Sequence, residues 1–94
     1  MLTLIWGKTF TKAFKRTVKK HQNFRQDTER ALRLLTSDPF NSELETHKLK
    51  GKLSGLWACS VGYDLRIVFK FIKNTKEKED AVLLIEIGTH DEVY

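Results

Sequence analysis

Cysteine is almost absent from this chain, since Cys59 is the only one among 94 residues. One cysteine excludes an internal disulfide framework and a cysteine-rich zinc site, and we expect Cys59 to be a small core residue. No apolar run approaches the roughly 18 to 20 residues that a membrane-spanning helix needs. The first residues carry no charged segment ahead of their short apolar run, so we do not expect a secretory signal. These absences predict a cytoplasmic protein that does not enter a membrane.

Sequence motifs for metal and nucleotide sites are also missing. The acidic residues and histidines are too scattered along the chain to form a ligand set for zinc or calcium. Gly51 and Gly55 do not have the spacing of a phosphate-cradling loop. We therefore expect neither a metal nor a cofactor.

Acidic side chains are missing from one long N-terminal stretch. From residue 8 to residue 25 the chain has no aspartate or glutamate, although its formal net charge is only +5. The cations of this stretch are Lys8, Lys12, Lys15, Arg16, Lys19, Lys20 and Arg25. Such asymmetry favours a surface that binds a polyanion, while a soluble basic domain without that role remains the alternative.

Two amphipathic helices are predicted after a short strand at residues 2–6. Apolar side chains recur there at helical spacing in two stripes. The first stripe is Phe10, Phe14 and Val18, and the second is Phe24, Ala31, Leu32 and Leu35. Pro39 disfavours helical backbone at Asp38, so the second helix should end near Ser37. The two helices should form a hairpin.

The C-terminal half changes to the two-residue period of β-strands. Candidate strands are residues 56–61, 64–72 and 81–88, with a charged turn at 73–80 and a tail at 89–94. In the central strand one face is apolar, and the other carries Asp64, Arg66, Val68 and Lys70. We expect a single domain over residues 1–94 with an α+β fold of order β-α-α-β-β-β. Its N-terminal strand and helical hairpin would pack on a small antiparallel sheet.

Arg66, His47 and His90 are the main candidates for chemistry. Arg66 would either pair with Glu86 across the strands, worth roughly 0.2 to 1 kcal/mol, or hold a phosphate with its planar fork of donors. Histidine can give or take a proton near working pH, although a lone loop histidine is usually inert. Together with lysines, these groups suit RNA cleavage without a metal. One takes the 2′-hydroxyl proton, another donates to the leaving 5′-oxygen, and cations stabilise the charge on phosphorus.

The remaining candidates have weaker signals. Asp64 would orient a base or act as one, or be a surface charge where the strand starts. Tyr94 would stack on a nucleobase, worth roughly 1 to 3 kcal/mol, or pack under the sheet, which is the better expectation from the residue alone. His21 closes the first helix and receives no catalytic role. The expected RNA contacts are Lys48, Lys50 and Lys52 beside His47, and Lys12, Lys15, Arg16 and Lys19 on the first helix.

Three segments of the chain resemble the RelE/ParE superfamily of bacterial toxins, and within it the YafQ-like branch. They are the Asp38-Pro39 turn, HKLKGKLSGLWACSVGYDLRIVFKF at residues 47–71, and LLIEIGTHDEVY at residues 83–94. The resemblance runs almost end to end and implies a RelE-like fold, type II toxin activity in the cytoplasm, and an antitoxin protein as partner. RNase-type members cut mRNA in the ribosomal A site, whereas ParE members poison DNA gyrase.

The resemblance assigns a role to each matching position. His47 matches the histidine that opens the HxLxG motif, and Asp64 matches a functional aspartate at the start of the central strand. Arg66 matches the arginine that RelE-like members place against the scissile phosphate. His90 matches the histidine of the GTH motif, an acid or base, and Tyr94 matches an aromatic used for stacking or proton transfer.

Two positions depart from the pattern of the YafQ-like branch. Ser60 stands where another histidine can occur, and Glu86 stands where an active-site arginine can occur. The leading interpretation is a ribosome-dependent, metal-independent endoribonuclease, which the pair His47 and His90 favours. The alternatives are a ParE-like inhibitor of gyrase without nuclease activity and a non-catalytic basic RNA-binding module.

Overall fold

The computed structural model describes residues 1–20, 22–74 and 79–94. A first strand is followed by two helices, four more strands and a one-turn helix. The elements are β1 (Thr3–Trp6), α1 (Lys8–Lys20), α2 (Asn23–Ser37), β2 (His47–Lys48), β3 (Trp57–Val61), β4 (Leu65–Asn74), β5 (Glu79–Thr89) and α3 (His90–Val93), with 3₁₀ turns at Ser42–Leu44 and Gly51–Leu53. Within these residues, no helix is long and apolar enough to cross a bilayer.

Both predicted helices form, and each buries part of its predicted stripe. Phe10 is completely buried in α1, and Leu35 is completely buried in α2. Burying a side chain of this size stabilises the fold by about 1.5 to 3 kcal/mol. α2 ends at Ser37 as Pro39 predicts, and the Asp38 N–H donates to the Leu34 carbonyl at 2.6 Å. His21, which the sequence places at the end of the first helix, lies outside the described residues.

The strands form one five-stranded sheet in the order β1-β5-β4-β3-β2. β3, β4 and β5 make the predicted antiparallel meander. The sheet differs from the prediction in two ways, because β1 pairs parallel to β5 and the two-residue β2 forms an additional edge strand. In addition, the short helix α3 stands where a tail was predicted. β4 and β5 also extend further than predicted, and residues 75–78 of the predicted charged turn lie outside the described residues.

One face of the sheet is covered by α1 and α2 and forms the core. It presents Cys59, Ile67 and Phe69, each fully buried against both helices. Burial raises the pKa of the Cys59 thiol to about 12, although a backbone hydrogen bond from Ile67 and the charge of Arg66 oppose the rise. Cys59 is therefore the predicted core residue, and its thiol stays protonated at neutral pH.

Candidate functional site

Arg66 lies on the sheet face that points away from α1 and α2. It stands opposite Ser60 of β3 and opposite Gly88 of β5. Residues directly opposite in antiparallel strands share a face, and their neighbours Cys59 and Ile67 belong to the core. We call the surface that carries Ser60, Arg66 and Gly88 the Arg66 face. The two-residue period of the sequence placed Arg66 there correctly.

The guanidinium of Arg66 does not pair with Glu86. Glu86 stands opposite Val68, two residues away from Arg66 along β4, and its Oε1 accepts from the Ile87 N–H at 3.2 Å. Arg66 Nη1 donates to the carbonyl of Leu65 at 2.9 Å, and none of the carboxylates in residues 1–20, 22–74 and 79–94 lies within ion-pair distance of it. Most of the donor fork is therefore available to an anion.

Helix α3 is held at the end of β5 by a reciprocal pair of hydrogen bonds. Thr89 Oγ1 accepts from the Glu92 N–H at 3.3 Å, and Glu92 Oε1 accepts from the Thr89 N–H at 2.8 Å. This arrangement is the capping box that T-x-x-E sequences form. These hydrogen bonds lower the pKa of the Glu92 carboxyl, and the charges of Arg16 and Lys20 lower it further. The box fixes the direction in which the chain leaves the sheet.

Gly88 lets α3 approach the sheet closely. A Cβ atom at Gly88 would lie 3.1 Å from Glu92 Cβ and 3.3 Å from Val93 Cγ1. A side chain in the row of Arg66 would therefore push α3 away from β5. The glycine and the capping box together place the residues of α3 beside Arg66.

His90 and Tyr94 meet one turn apart on this short helix. Their ring centroids are 4.5 Å apart with an interplanar angle of 87°. Burial raises the pKa of the Tyr94 phenol, whereas the charge of Arg66 opposes the rise. The phenol is thus neutral at neutral pH and can donate a hydrogen bond, and the charge of Arg66 reaches it. Arg66, His90 and Tyr94 form one cluster.

His47 reaches the Arg66 face from the edge of the sheet. It stands opposite Ala58, in the row of Val68 and Glu86. Ideal strand spacings put its Cα about 12 Å from that of Arg66. Its Nδ1 lies 2.9 Å from the Glu45 carbonyl oxygen. A carbonyl oxygen can only accept a hydrogen bond, so Nδ1 carries the proton of the neutral ring. Nε2 then holds a lone pair that can accept a proton.

Asp64 does not join this cluster. β4 begins at Leu65, so Asp64 belongs to the preceding turn and does not share a strand face with Arg66 as predicted. It lines a cleft of about 290 Å³ together with Arg16, Lys20 and Glu92. This cleft lies between α1 and the end of the sheet, and its charges are mixed.

The predicted RNA-contacting cations fall into separate groups. Lys48 stands opposite Trp57, with Nζ 5.4 Å from the indole centroid, so it points away from the face of His47. Lys50 and Lys52 are exposed around the Gly51–Leu53 turn. The helix cations Lys12, Lys15, Arg16 and Lys19 are exposed on α1, which covers the opposite side of the sheet.

The family described as "Bacterial toxin of type II toxin-antitoxin system, YafQ" matches residues 2–94 of the chain. The chain belongs to the YafQ toxin family. A search of curated proteins gives no match.

Solved structures of other toxins share the fold of this chain. YafQ from Escherichia coli strain BL21(DE3) superposes with a TM-score of 0.79 at 16% identity, covering 100% of this chain and 99% of that one. The E. coli DinJ-YafQ complex gives a TM-score of 0.78 at 17% identity over 100% and 99%. A metal-bound toxin from Helicobacter pylori gives 0.72 at 28% identity over 100% of both chains. The two E. coli likenesses support the fold alone.

Several residues of this YafQ-family site escaped the sequence predictions. Thr89 and Glu92 were visible as a T-x-x-E motif in THDE, but the segment was treated as a tail. The two-residue period of β4 placed Lys70 on the polar face, but no sequence pattern assigned it a role in the site. In the structure Lys70 is exposed on β4, two residues beyond Val68. In the described part of the chain, no group of three or more histidine, cysteine or carboxylate side chains is arranged to hold a metal ion.

Proposed function

We propose that this YafQ-family toxin is a metal-independent endoribonuclease that cleaves mRNA on the ribosome. The observation that carries the proposal is the cluster at the end of β5. There an arginine whose fork has no carboxylate partner in the described chain lies beside the edge-to-face rings of His90 and Tyr94. A cation beside a proton carrier and a neutral hydrogen-bond donor is suited to a phosphodiester whose charge increases during reaction.

In the proposed reaction the 2′-oxygen of one nucleotide attacks the adjacent phosphorus. The new 2′-O–P bond replaces the P–O5′ bond, leaving a 2′,3′-cyclic phosphate and a 5′-hydroxyl. His47 Nε2 takes the proton of the 2′-hydroxyl, and His90 gives a proton to the leaving 5′-oxygen. Arg66 holds the non-bridging phosphate oxygens through parallel N–H donors. The phenol of Tyr94 donates a further hydrogen bond to the phosphate.

His47 and His90 come from opposite sides of β4, because β2 lies beyond β3 on one side and β5 leads into α3 on the other. The phosphate would lie over the row of Arg66, between the edge strand that carries His47 and the helix that carries His90. Asp64 lies apart from this phosphate position, so we assign it no role in the proton transfers. Its carboxylate would instead balance the cations Arg16 and Lys20 that line its cleft.

Binding of the RNA backbone would come from exposed cations around the proposed position of the phosphate. Lys50 and Lys52 lie near His47, and Lys70 lies on the Arg66 face itself. Lysine contacts to phosphate give affinity without reading sequence, so any codon preference would come from the ribosome. By analogy with the DinJ-YafQ complex, an antitoxin protein would neutralise this toxin in the cytoplasm.

The test uses purified protein on ribosomes programmed with a defined mRNA. Primer extension should show cuts that require the ribosome, and the products should carry 5′-hydroxyl and cyclic phosphate ends. Plasmid supercoiling by gyrase is measured in parallel. Altered topology without mRNA cuts would identify a ParE-like toxin, and ribosome binding without cuts would identify a binding module. Products with 5′-phosphate ends would exclude the proposed 2′-oxygen attack.

A further inference from the structure

An aromatic pocket lies on the core face of the sheet, at the end of β4 opposite to Arg66. It is a cavity of about 450 Å³. We call it the Phe40 pocket, and the residues that define it are Phe40, Trp57, Phe71, Lys73 and Asp80. It differs from the Arg66 face in both the end and the face of the sheet that it occupies, so the proposed reaction uses none of these residues.

The pocket exists because the apolar face of β4 extends past the core. Phe69 is completely buried, Phe71 two residues later is half-buried, and Lys73 is exposed. β3 begins at Trp57, which stands opposite Phe69, so the row of Phe71 has no partner in β3. An open space beside an aromatic surface is therefore left at this end of the sheet.

Phe40 borders this space from the loop that follows α2. Its ring stacks with Phe71 at 5.9 Å and meets Trp57 edge to face at 5.5 Å, yet Phe40 remains 60% exposed. The loop is tied down beside the ring, because Thr46 Oγ1 donates to the Pro39 carbonyl at 2.6 Å. A large ring that is fixed in position and mostly in contact with water is suited to stacking on a flat ligand.

Lys73 and Asp80 supply a polar edge to the pocket. They stand directly opposite each other in β4 and β5, and both are exposed. Their Cα atoms are therefore about 4.5 to 5.5 Å apart. Within the ranges of the chain that the structure describes, no ion pair joins them or ties either one to another side chain. An ammonium donor and a carboxylate acceptor thus stand side by side at the edge of an aromatic wall.

We propose that the Phe40 pocket binds a guanine base, carried by a free nucleotide or by single-stranded RNA. The cavity falls within the range of about 300 to 1,000 Å³ that small-molecule pockets span. Aromatic side chains stack on unpaired bases, and polar groups beside them read the edge of the base. The edge of guanine has two adjacent N–H groups beside a carbonyl oxygen. Asp80 accepts from both N–H groups, and Lys73 donates to the oxygen.

Other occupants match this pocket less well. Adenine, cytosine and uracil do not present two neighbouring N–H donors of this kind to a carboxylate. An apolar side chain of a protein would fill the cavity, but it would leave Lys73 and Asp80 without partners. The proposal does not depend on the nuclease mechanism, because the pocket and the Arg66 face lie on opposite sides of the sheet.

NMR titrations of the intact protein with GMP and AMP test the proposal, with the indole N–H of Trp57 as the reporter. We expect saturable shifts, and GMP should bind about tenfold or more tightly than AMP, because adenine cannot make the double contact with the carboxylate. Phe40→Leu keeps an apolar side chain but removes the ring, so it should weaken both nucleotides about tenfold. Asp80→Asn should bring the affinity for GMP close to that for AMP.

The matched control is Asp91→Asn, which makes the same change of charge on α3, at the other end of β5. It should leave both affinities unchanged. A 2′-O-methyl oligouridine with one central guanosine, which resists attack by the 2′-oxygen, tests the source of the base. Tighter binding than GMP that is lost when adenosine replaces guanosine assigns the pocket to RNA, and equal affinity assigns it to the free nucleotide.

Three results overturn the proposal: no saturable binding, equal affinities for GMP and AMP, or equal effects of Asp80→Asn and Asp91→Asn. Shifts of the Trp57 indole that depend on protein concentration and not on nucleotide would assign the pocket to a contact between copies of the chain instead. Thermal melting shows whether each variant is folded. If Phe40→Leu does not fold, Asp80→Asn still decides, because its side chain is exposed.

Discussion

The rings of His90 and Tyr94 meet edge to face, with their centroids 4.5 Å apart. The contact closes a single helical turn, in which the Tyr94 N–H donates to the His90 carbonyl at 3.1 Å. An imidazole is thereby held against a neutral phenol, next to an arginine that lies in the row of Gly88. Substitution can separate the chemistry of this pair from its packing, because glutamine and phenylalanine keep the approximate shapes of the two side chains.

His90→Gln should abolish mRNA cleavage while ribosome binding persists. Glutamine keeps size and hydrogen bonding but cannot carry a proton, and loss of a general acid typically costs roughly two to four decades in rate. His47→Gln should lower the rate less, because the neighbouring lysines still attract the phosphate. Cleavage is measured with purified protein on programmed ribosomes, and binding is measured by sedimentation. Full cleavage by the His90→Gln protein would remove His90 from the mechanism.

Arg66→Ala should leave the fold intact and remove most of the activity. The side chain has no carboxylate partner in the described part of the chain and faces away from the core, so truncation opens no core cavity. Loss of a charge contact made in the transition state commonly costs roughly 2.7 to 4 kcal/mol, or two to three decades. The Tyr94 pKa should rise as well, because the charge of Arg66 lowers it in the intact protein.

Thermal melting, single-turnover cleavage and a titration of the Tyr94 ring by carbon NMR test this prediction. Arg66→Lys is the matched control, since it keeps the charge and loses the planar fork. Melting of the Arg66→Ala protein at ambient temperature would mean that Arg66 is mainly structural. An unchanged Tyr94 titration would mean that the two side chains do not interact.

Ribosome or RNA affinity should fall steeply with salt concentration. If Arg66, Lys50, Lys52 and Lys70 each neutralise a phosphate, the log–log slope should be about −3, at roughly 0.7 per contact on a single strand. Lys70→Gln should reduce the slope by about 0.7. Lys48→Gln should change it little, because Lys48 lies over Trp57 on the other side of the strand. A flat titration with the wild-type protein would contradict the polyanion interpretation, and fluorescence anisotropy at several salt concentrations measures it.

Local patterns in the sequence were sufficient for the elements that make the core. The stripe containing Phe10 predicted α1, Pro39 predicted the end of α2, and the alternation around Arg66 predicted β4 and the correct face. These signals are local, because each reports a repeat within one element. The same alternation failed at Asp64, where the turn with a positive φ of 57° at Gly62 ends the period before the strand begins.

Pairings between distant segments were not accessible in this way. The alternative Arg66–Glu86 pair depends on the register of β4 against β5, which puts Gly88 opposite Arg66 and Glu86 opposite Val68. β2 is too short to show a period, so its contact with β3 has no local signal. α3 has one turn and no apolar repeat, so its capping motif was the only sequence pattern that could have predicted it. The cluster of Arg66, His90 and Tyr94 therefore became visible only in three dimensions.

The capping box should make the geometry of this cluster depend on pH through Glu92. Its carboxylate accepts from the Thr89 N–H, and this hydrogen bond lowers the pKa of Glu92 in the folded protein. A depressed pKa contributes stability above the unfolded value, about 4.3 for glutamate, and that contribution disappears as pH falls through the lower folded value. At neutral pH the box is therefore complete, and in acid α3 should loosen from β5. The ring-current shifts of Tyr94 should move toward random-coil values over that acid range.

Substitutions in the box test whether it positions the reacting groups. Glu92→Gln keeps a carbonyl that accepts from the Thr89 N–H but removes the charge, so the acid transition should vanish from the NMR titration. Thr89→Val removes the acceptor for the Glu92 N–H, and it should lower the cleavage rate on saturated ribosomes more than it weakens binding, because His90 and Tyr94 lose their fixed direction. Thr89→Ser restores the hydroxyl and should rescue the rate. If Thr89→Val cleaves at the wild-type rate while its Tyr94 shifts have moved, the placement of α3 does not control the reaction.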